Sequence, residues 1–132
     1  MTEIRIAEAA RLLGVSDDTV RRWADSGKLA ARTDAGGRRV IDGAELAAFA
    51  TAQHADAPEL PPTTASSARN HFPGLVTRVI KDSVMAQVEL QAGPFRIVSL
   101  MSAEAVEELG LEVGSVAVAS IKSTHVIVGV PA

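Results

Sequence analysis

IAEAARLLGVSDDTVRRWADSGKLAARTDAGGRRVIDGAEL, from Ile6 to Leu46, alternates helical patterning with turn residues in a way that decides the N-terminal fold. Ile6, Ala9, Ala10 and Leu13 recur at helical spacing, and Gly14 suits the left-handed position just past a helix end. Ser16 caps a second helix whose first turn carries Asp17 and Asp18, where the helix dipole favours negative charge. That helix buries Val20, Trp23 and Ala24 and turns Thr19, Arg21 and Arg22 outward; the register of Trp23 with Val20 and Ala24 assigns it to the core. Gly27 closes the helix. Lys28 to Ile41 reads as a β-hairpin tipped by Asp34-Ala35-Gly36-Gly37 and flanked by Arg32 and Arg38-Arg39. Asp42 then caps a third helix, with Glu45 in capping-box spacing and Leu46, Phe49 and Ala50 on its apolar side. Two helices joined by Gly14-Val15-Ser16, followed by a hairpin, have the layout of a winged helix-turn-helix.

Charge distribution supports a nucleic-acid partner. The 132 residues hold 13 Lys+Arg and 16 Asp+Glu, a net −3. Thr19 to Val40 alone holds six positive and two negative side chains, so this segment is +4 and the remainder −7. A basic face is concealed within an acidic chain. Such groups displace counterions from phosphate, and arginine pairs in bidentate fashion with guanine. The candidate DNA-contacting set is Ser16, Thr19, Arg21 and Arg22 around the second helix, with Arg32, Arg38 and Arg39 on the wing.

Outward from this stretch, Thr51 to Ser66 holds three of the six prolines and reads as a linker that spans at most about 50 Å when extended. Beyond it the pattern becomes period two. Val84, Ala86, Val88 and Leu90 share one face, while Ser83, Gln87 and Glu89 share the other. Further strand-like runs occupy Leu75 to Ile80, Phe95 to Leu100, Val116 to Ile121 and His125 to Val130. A helix between the third and fourth runs is signalled by Ser102 as cap, Val106 and Leu109 on one face, and Gly110 at the exit. The expected fold class is α+β in two domains. A winged helix-turn-helix occupies residues 1–50, a linker 51–66, and an OB-like five-stranded β-barrel with one short helix 67–132. Both domains are small enough that burial between subunits is expected to complete their cores.

Composition excludes much else. Without cysteine there is no disulfide, thiolate metal site or cysteine nucleophile. No apolar run reaches the ~18 to 20 residues of a membrane helix, and the start lacks a secretion signal, so a cytoplasmic location is expected. His54, His71 and His125 fit no zinc spacing. Glu104, Glu107, Glu108 and Glu112 read as a solvated acidic face. The Asp34 to Gly37 turn is no phosphate loop, since no G-K-[ST] follows. No nucleophile and base pair, so a non-enzyme is expected.

Two resemblances sharpen this reading. The Ile6 to Leu46 stretch, with GVS-x-x-TVRRW, Gly27-Lys28-Leu29 and a glycine-tipped turn followed by paired arginines, resembles the winged helix-turn-helix of MerR-type regulators and phage excisionases. It departs from them at Arg5-Ile6, where the usual Ser or Thr helix cap is missing. Ser67-Ala68-Arg69-Asn70, Ser83-Val84-Met85-Ala86, Ile121-Lys122-Ser123-Thr124 and VEELGLEVGS at Val106 to Ser115 resemble the molbindin (Mop) domain of the TOBE group, which binds molybdate or tungstate. That resemblance implies two anion sites between subunits of a trimer or hexamer. One would use Ser67, Arg69, Lys122 and Ser123; the other would use backbone donors of Val84, Met85 and Ala86 with Ser102. The second lacks a helix hydroxyl at Ala105 that family members often carry. A tetrahedral dianion needs many fixed donors and neither redox chemistry nor direct metal ligation. The combined expectation is a molybdate-responsive transcriptional regulator binding double-stranded DNA, homo-oligomeric and independent of membranes. The alternatives are a cytoplasmic molybdate store with an accessory helix-turn-helix, and an architectural DNA-binding protein whose barrel serves only assembly.

Overall fold

Strand β1 (Glu3–Arg5) runs directly into helix α1 (Ile6–Leu13), which begins without a side-chain cap. Arg5 occupies the cap position without a side-chain cap bond, while Glu3, Ile4 and Arg5 pair antiparallel with Asp42, Ile41 and Val40. A computed structural model describes residues 2–54 and 66–131, which form two compact units considered separately below.

In the first unit, Gly14 (φ 70°) ends α1, and two reversed bonds close it: Val15 N–H to Ala10 O at 3.0 Å and Gly14 N–H to Arg11 O at 3.3 Å. Ser16 then caps α2 (Asp17–Asp25), its hydroxyl accepting from Thr19 N–H at 3.2 Å. The wing comprises β2 (Arg32–Thr33) and β3 (Arg39–Asp42), and β1 completes a sheet of order β1-β3-β2. Helix α3 (Gly43–Gln53) follows at once. Ile6, Ala9, Ala10, Val20, Leu29, Ile41 and Leu46 form the core. Trp23 is half-buried against it, its ring 5.0 Å from that of Phe49, which ties α2 to α3.

Three local expectations change. β1 carries no local signal, because three residues acquire strand character only through long-range pairing with β3. Asp42 holds the cap position of α3 but makes no side-chain cap bond; the Gly43 N–H that follows it donates to Thr2 O at 2.8 Å. The helix also runs past Thr51, the expected linker start, because Ala50 to Gln53 contains no breaker and the Thr51 hydroxyl bonds back to Ala47 O at 3.1 Å. Residues 55–65 of the expected linker lie outside the described residues.

The second unit contains β4 (Asn70–Lys81), β5 (Met85–Ala92), β6 (Phe95–Ser102), helix α4 (Ala103–Leu109) and β7 (Val116–Ile121). All neighbours are antiparallel, in the order β6-β5-β4-β7. β4 changes partner along its length: Asn70 to Leu75 pairs with β7, Leu75 to Lys81 with β5, with an irregularity between Val76 and Arg78 that curls the sheet. Val76, Ala86, Val88, Leu90 and Val106 fill the concave side.

The expected five-stranded barrel is corrected to an open, curled sheet of four strands among the described residues, with β6 and β7 at its edges. His125 to Val130 has strand-like composition but no ladder partner there; Ser123–His125 makes a 3-10 turn, and Ile127, Val128 and Val130 are almost fully exposed. Composition creates only the tendency to be a strand, and here the segment pairs with neither edge of the sheet. β4 begins at Asn70, not Leu75, because Asn70 to Leu75 pair along β7. A Cβ at Gly74 would stand 2.5 Å from Gln91 O, so the glycine lets β5 approach while Pro73 stays in line opposite Val118. Val84 precedes β5 and is exposed, whereas Glu89, expected on the solvated face, is buried and joined by Arg96 and Arg78.

Candidate nucleic-acid and anion sites

On the helix-turn-helix unit, Ser16, Thr19 and Arg22 form a hydrogen-bonded row. The Ser16 and Thr19 hydroxyls are 2.9 Å apart, and the Arg22 guanidinium donates to Thr19 Oγ1 at 3.2 Å. Ser16 and Thr19 therefore build the turn and steer Arg22. Arg21 pairs with Asp18 at 3.1 Å and Arg32 with Glu3 at 2.7 Å. Arg39 on the wing reaches Asp25 in the last turn of α2 at 2.8 Å, which links the wing to that helix. Such exposed pairs are worth about 0–1 kcal/mol, so phosphate can displace them at small cost.

Asp34 organises the wing tip. Its carboxylate accepts from Arg38 N–H and Gly36 N–H, each at 2.9 Å, and its own N–H donates to Arg38 O at 2.8 Å. The Arg38 N–H, followed by that of Gly36, holds the Asp34 carboxyl below its ordinary pKa. Among the described residues, Arg22, Lys28 and Arg38 have no carboxylate within ion-pair distance, which leaves them available on this face. Lys28 lies over the Trp23 ring at 5.6 Å.

The β4–β7 ladder unites the first anion set. Asn70 opposes Ile121 and His71 opposes Ser120, so the chain before β4 and the chain after β7 leave at the same end of the sheet. Asn70 donates from its amide to Ile121 O at 3.0 Å, and Ala68 is buried, with Ser67 and Arg69 exposed on either side. Lys122 and Ser123 begin the 3-10 turn and are exposed. Two hydroxyls and two cations thus converge on one sheet end. His71 locks this arrangement, with Nε2 2.9 Å from Ala68 O and Nδ1 2.8 Å from Ser120 Oγ. Sequence reasoning leaves Asn70, His71 and Ser120 without a role, because their partnership exists only once β4 and β7 are paired.

The β5–β6 ladder unites the second set, with Met85 opposite Ser102 and Ala103 N–H donating to Val84 O at 2.8 Å. Its donors are already engaged. One oxygen of Asp82 accepts from Val84 N–H at 2.7 Å and Met85 N–H at 2.8 Å, and Ser102 Oγ accepts from Ala105 N–H at 3.1 Å. Ala86 is buried. Met85 N–H and then Val84 N–H hold the Asp82 carboxyl below its ordinary pKa. The two sets lie at opposite ends of the 12-residue β4, roughly 35 Å apart at strand rise, so one copy of the chain cannot merge them.

Among the described residues, no three or more His, Asp or Glu side chains gather in a metal-holding group, and no described helix is long and apolar enough to cross a membrane.

Residues 4–54 match the helix-turn-helix domain family and residues 66–128 match the TOBE domain family, so the chain is a helix-turn-helix domain followed by a TOBE domain. It is 43% identical over 63 residues to molybdenum-pterin-binding protein 1 of Clostridium pasteurianum, covering 47% of this chain and 93% of that protein. Identity to a probable molybdenum-pterin-binding protein of Haemophilus influenzae is 46% over 65 residues, or 48% of this chain and 94% of the relative. A solved structure of the cytoplasmic molybdate-binding protein ModG is similar at 41% identity and TM-score 0.50, covering 52% of this chain and 50% of that one. Through its C-terminal half, the chain belongs to the family of the molybdenum-pterin-binding proteins.

Proposed function

We propose that this chain is a molybdate- or tungstate-responsive DNA-binding protein, a transcriptional regulator of MerR-like type acting in the cytoplasm. The observation that carries this reading is the union in one chain of two units. One is a helix-turn-helix whose α2 and wing present Arg22, Arg38 and Arg39. The other is a TOBE unit whose relatives are named for molybdenum or molybdate binding. In this reading Ser67, Arg69, Lys122 and Ser123 supply the dianion's hydrogen bonds and charge without a redox cofactor. DNA contact falls to Arg21, Arg22, Arg32, Arg38 and Arg39.

The apolar side chains exposed on the second unit favour a homo-oligomer built through it. Val98 and Leu100 on edge strand β6, with Ile127, Val128 and Val130 beyond β7, offer an unpaired edge and an unpaired strand-like segment. A trimer or hexamer would cover them. Light scattering on the full chain and on a Val128→Asp variant tests this, and an unchanged mass would remove the C-terminal segment from the interface.

Sensing requires that the oxyanion favour one state of the DNA-binding assembly over another, and the coupling must be reciprocal. The test is fluorescence anisotropy on promoter fragments with and without saturating molybdate, beside calorimetric titration with molybdate, tungstate and sulfate. A shift in DNA affinity is expected. Oxyanion uptake with unchanged DNA affinity would leave a storage protein, and DNA binding without uptake an architectural one.

A further inference from the structure

We infer that Asp82 acts as a built-in anion that closes the Val84–Met85 end of the TOBE unit, so that this chain takes its oxyanion at the Arg69–Lys122 end alone. The inference rests on the function proposed above and adds which of the two ends is open.

Two independent observations carry it. The first is occupancy of donors. A dianion at the Val84–Met85 end would need those two N–H groups, and Asp82 Oδ1 already accepts from both, at 2.7 and 2.8 Å. Asp82 N–H donates to Met85 O at 3.0 Å, which fixes the short turn holding the carboxylate in place. The neighbouring Ala103 and Ala105 N–H groups are spent on Val84 O and Ser102 Oγ. An incoming oxyanion would therefore have to evict a carboxylate bound to the donors it requires.

The second is charge. At the closed end, among the described residues, the cation Lys81 is 3.3 Å from Glu107, and α4 starts there carrying Glu104, Glu107 and Glu108. Counting Asp82, four carboxylates oppose one ammonium. At the other end, the segments flanking the β4–β7 pairing, residues 66–74 and 117–131, contain Arg69 and Lys122 and no Asp or Glu. Like charges in juxtaposition penalise a dianion at the first end, and opposite charges attract it at the second. The low pKa that these backbone donors impose on Asp82 keeps it ionised at neutral pH, so protonation does not relieve the block.

The experiment is calorimetric titration of the full chain with molybdate in wild type, Lys122→Ala, Asp82→Ala and the Asp82→Ala/Lys122→Ala double variant, each checked for folding by circular dichroism. Wild type is expected to show one class of site, lost in Lys122→Ala. Asp82→Ala is expected to add a second class, with affinity at that end raised at least about tenfold by removal of the like charge. That added class should persist in the double variant. Should Asp82→Ala not fold, Asp82→Asn retains a turn acceptor without the charge and is expected to admit the second class more weakly.

Two classes in wild type, wild-type binding that survives Lys122→Ala, or no added class in either folded Asp82 variant would overturn the inference while leaving molybdate binding intact. No molybdate uptake by any of the folded proteins would overturn the proposed function itself, and the inference with it.

Discussion

His71 on β4 and Ser120 on β7 meet side chain to side chain, Nδ1 to Oγ at 2.8 Å, while the other ring nitrogen reaches Ala68 O at 2.9 Å. One imidazole thus spans two strands and the segment that presents Ser67 and Arg69. The carbonyl of Ala68 can only accept, so Nε2 carries the proton and Nδ1 accepts from the Ser120 hydroxyl. Replacing His71 by Ala removes two hydrogen bonds worth about 1 kcal/mol each and frees the segment to move. Molybdate affinity is expected to fall about five- to thirtyfold in calorimetry, with promoter-DNA affinity measured by anisotropy unchanged. Equal loss of both affinities in a folded protein would show that His71 supports the whole chain and not this sheet end.

On the proposed DNA face, Arg38 stands on a wing tip already fixed by Asp34, so truncating it should remove a cation without loosening the hairpin. Arg38→Ala and Arg22→Ala are each expected to weaken DNA binding and lower the slope of log affinity against log salt by about 0.9 for each phosphate no longer neutralised. Arg39→Ala removes the 2.8 Å tie to Asp25 as well, and it should also lower the thermal midpoint slightly. A salt slope unchanged in Arg38→Ala would place the wing tip off the DNA.

Acid stability follows from the same carboxylate. The folded-state pKa of Asp34 lies below its ordinary value of 3.8 because the Arg38 and Gly36 N–H groups stabilise the ionised form. Its contribution is therefore present above about pH 4 and disappears as pH falls through the lower folded value. Asp34→Asn should reduce stability at neutral pH and narrow its difference from wild type as pH falls below 3.8, as read from thermal unfolding across that range. A difference that stayed constant with pH would refute the linkage.

Gly74 sets the approach of β5 to β4. An added Cβ would lie 2.5 Å from Gln91 O and 3.0 Å from its carbonyl carbon, both backbone atoms that cannot move aside alone. Gly74→Ala is expected to destabilise the TOBE unit by about 1–3 kcal/mol in urea unfolding. The helix-turn-helix core should be untouched.

Much of the first unit is legible because its determinants are local. Gly14, Ser16 and the helical spacing of Ile6, Ala9, Ala10, Val20 and Trp23 specify the helices within a few residues of themselves. The Asp34 to Gly37 turn is equally short-range. β1 escapes such reading, since Glu3-Ile4-Arg5 becomes a strand only by pairing with Val40 to Asp42. Asp42 likewise holds the cap position without a side-chain cap bond, while the first N–H of the helix, on Gly43, goes to Thr2 O, distant in sequence. In the second unit, alternation identifies β5 to β7, whereas Pro73-Gly74 disguises the start of β4. Apolar composition at His125 to Val130 overstates a strand, because the segment pairs with neither free edge of the sheet.

By itself, then, the sequence determined the two kinds of domain, the helices and their turn, the basic segment within an acidic chain, and the motif residues Ser67, Arg69, Lys122 and Ser123. These follow from periodicity, turn chemistry, charge and short motifs, all readable over short spans. Only tertiary structure decided that the two motif sets sit at opposite ends of β4, that His71 ties Ala68 to Ser120 at one, and that Asp82 takes the Val84 and Met85 N–H groups at the other. Strand register sets which distant residues meet, and a backbone donor is open or spent according to which acceptor the folded chain brings to it first.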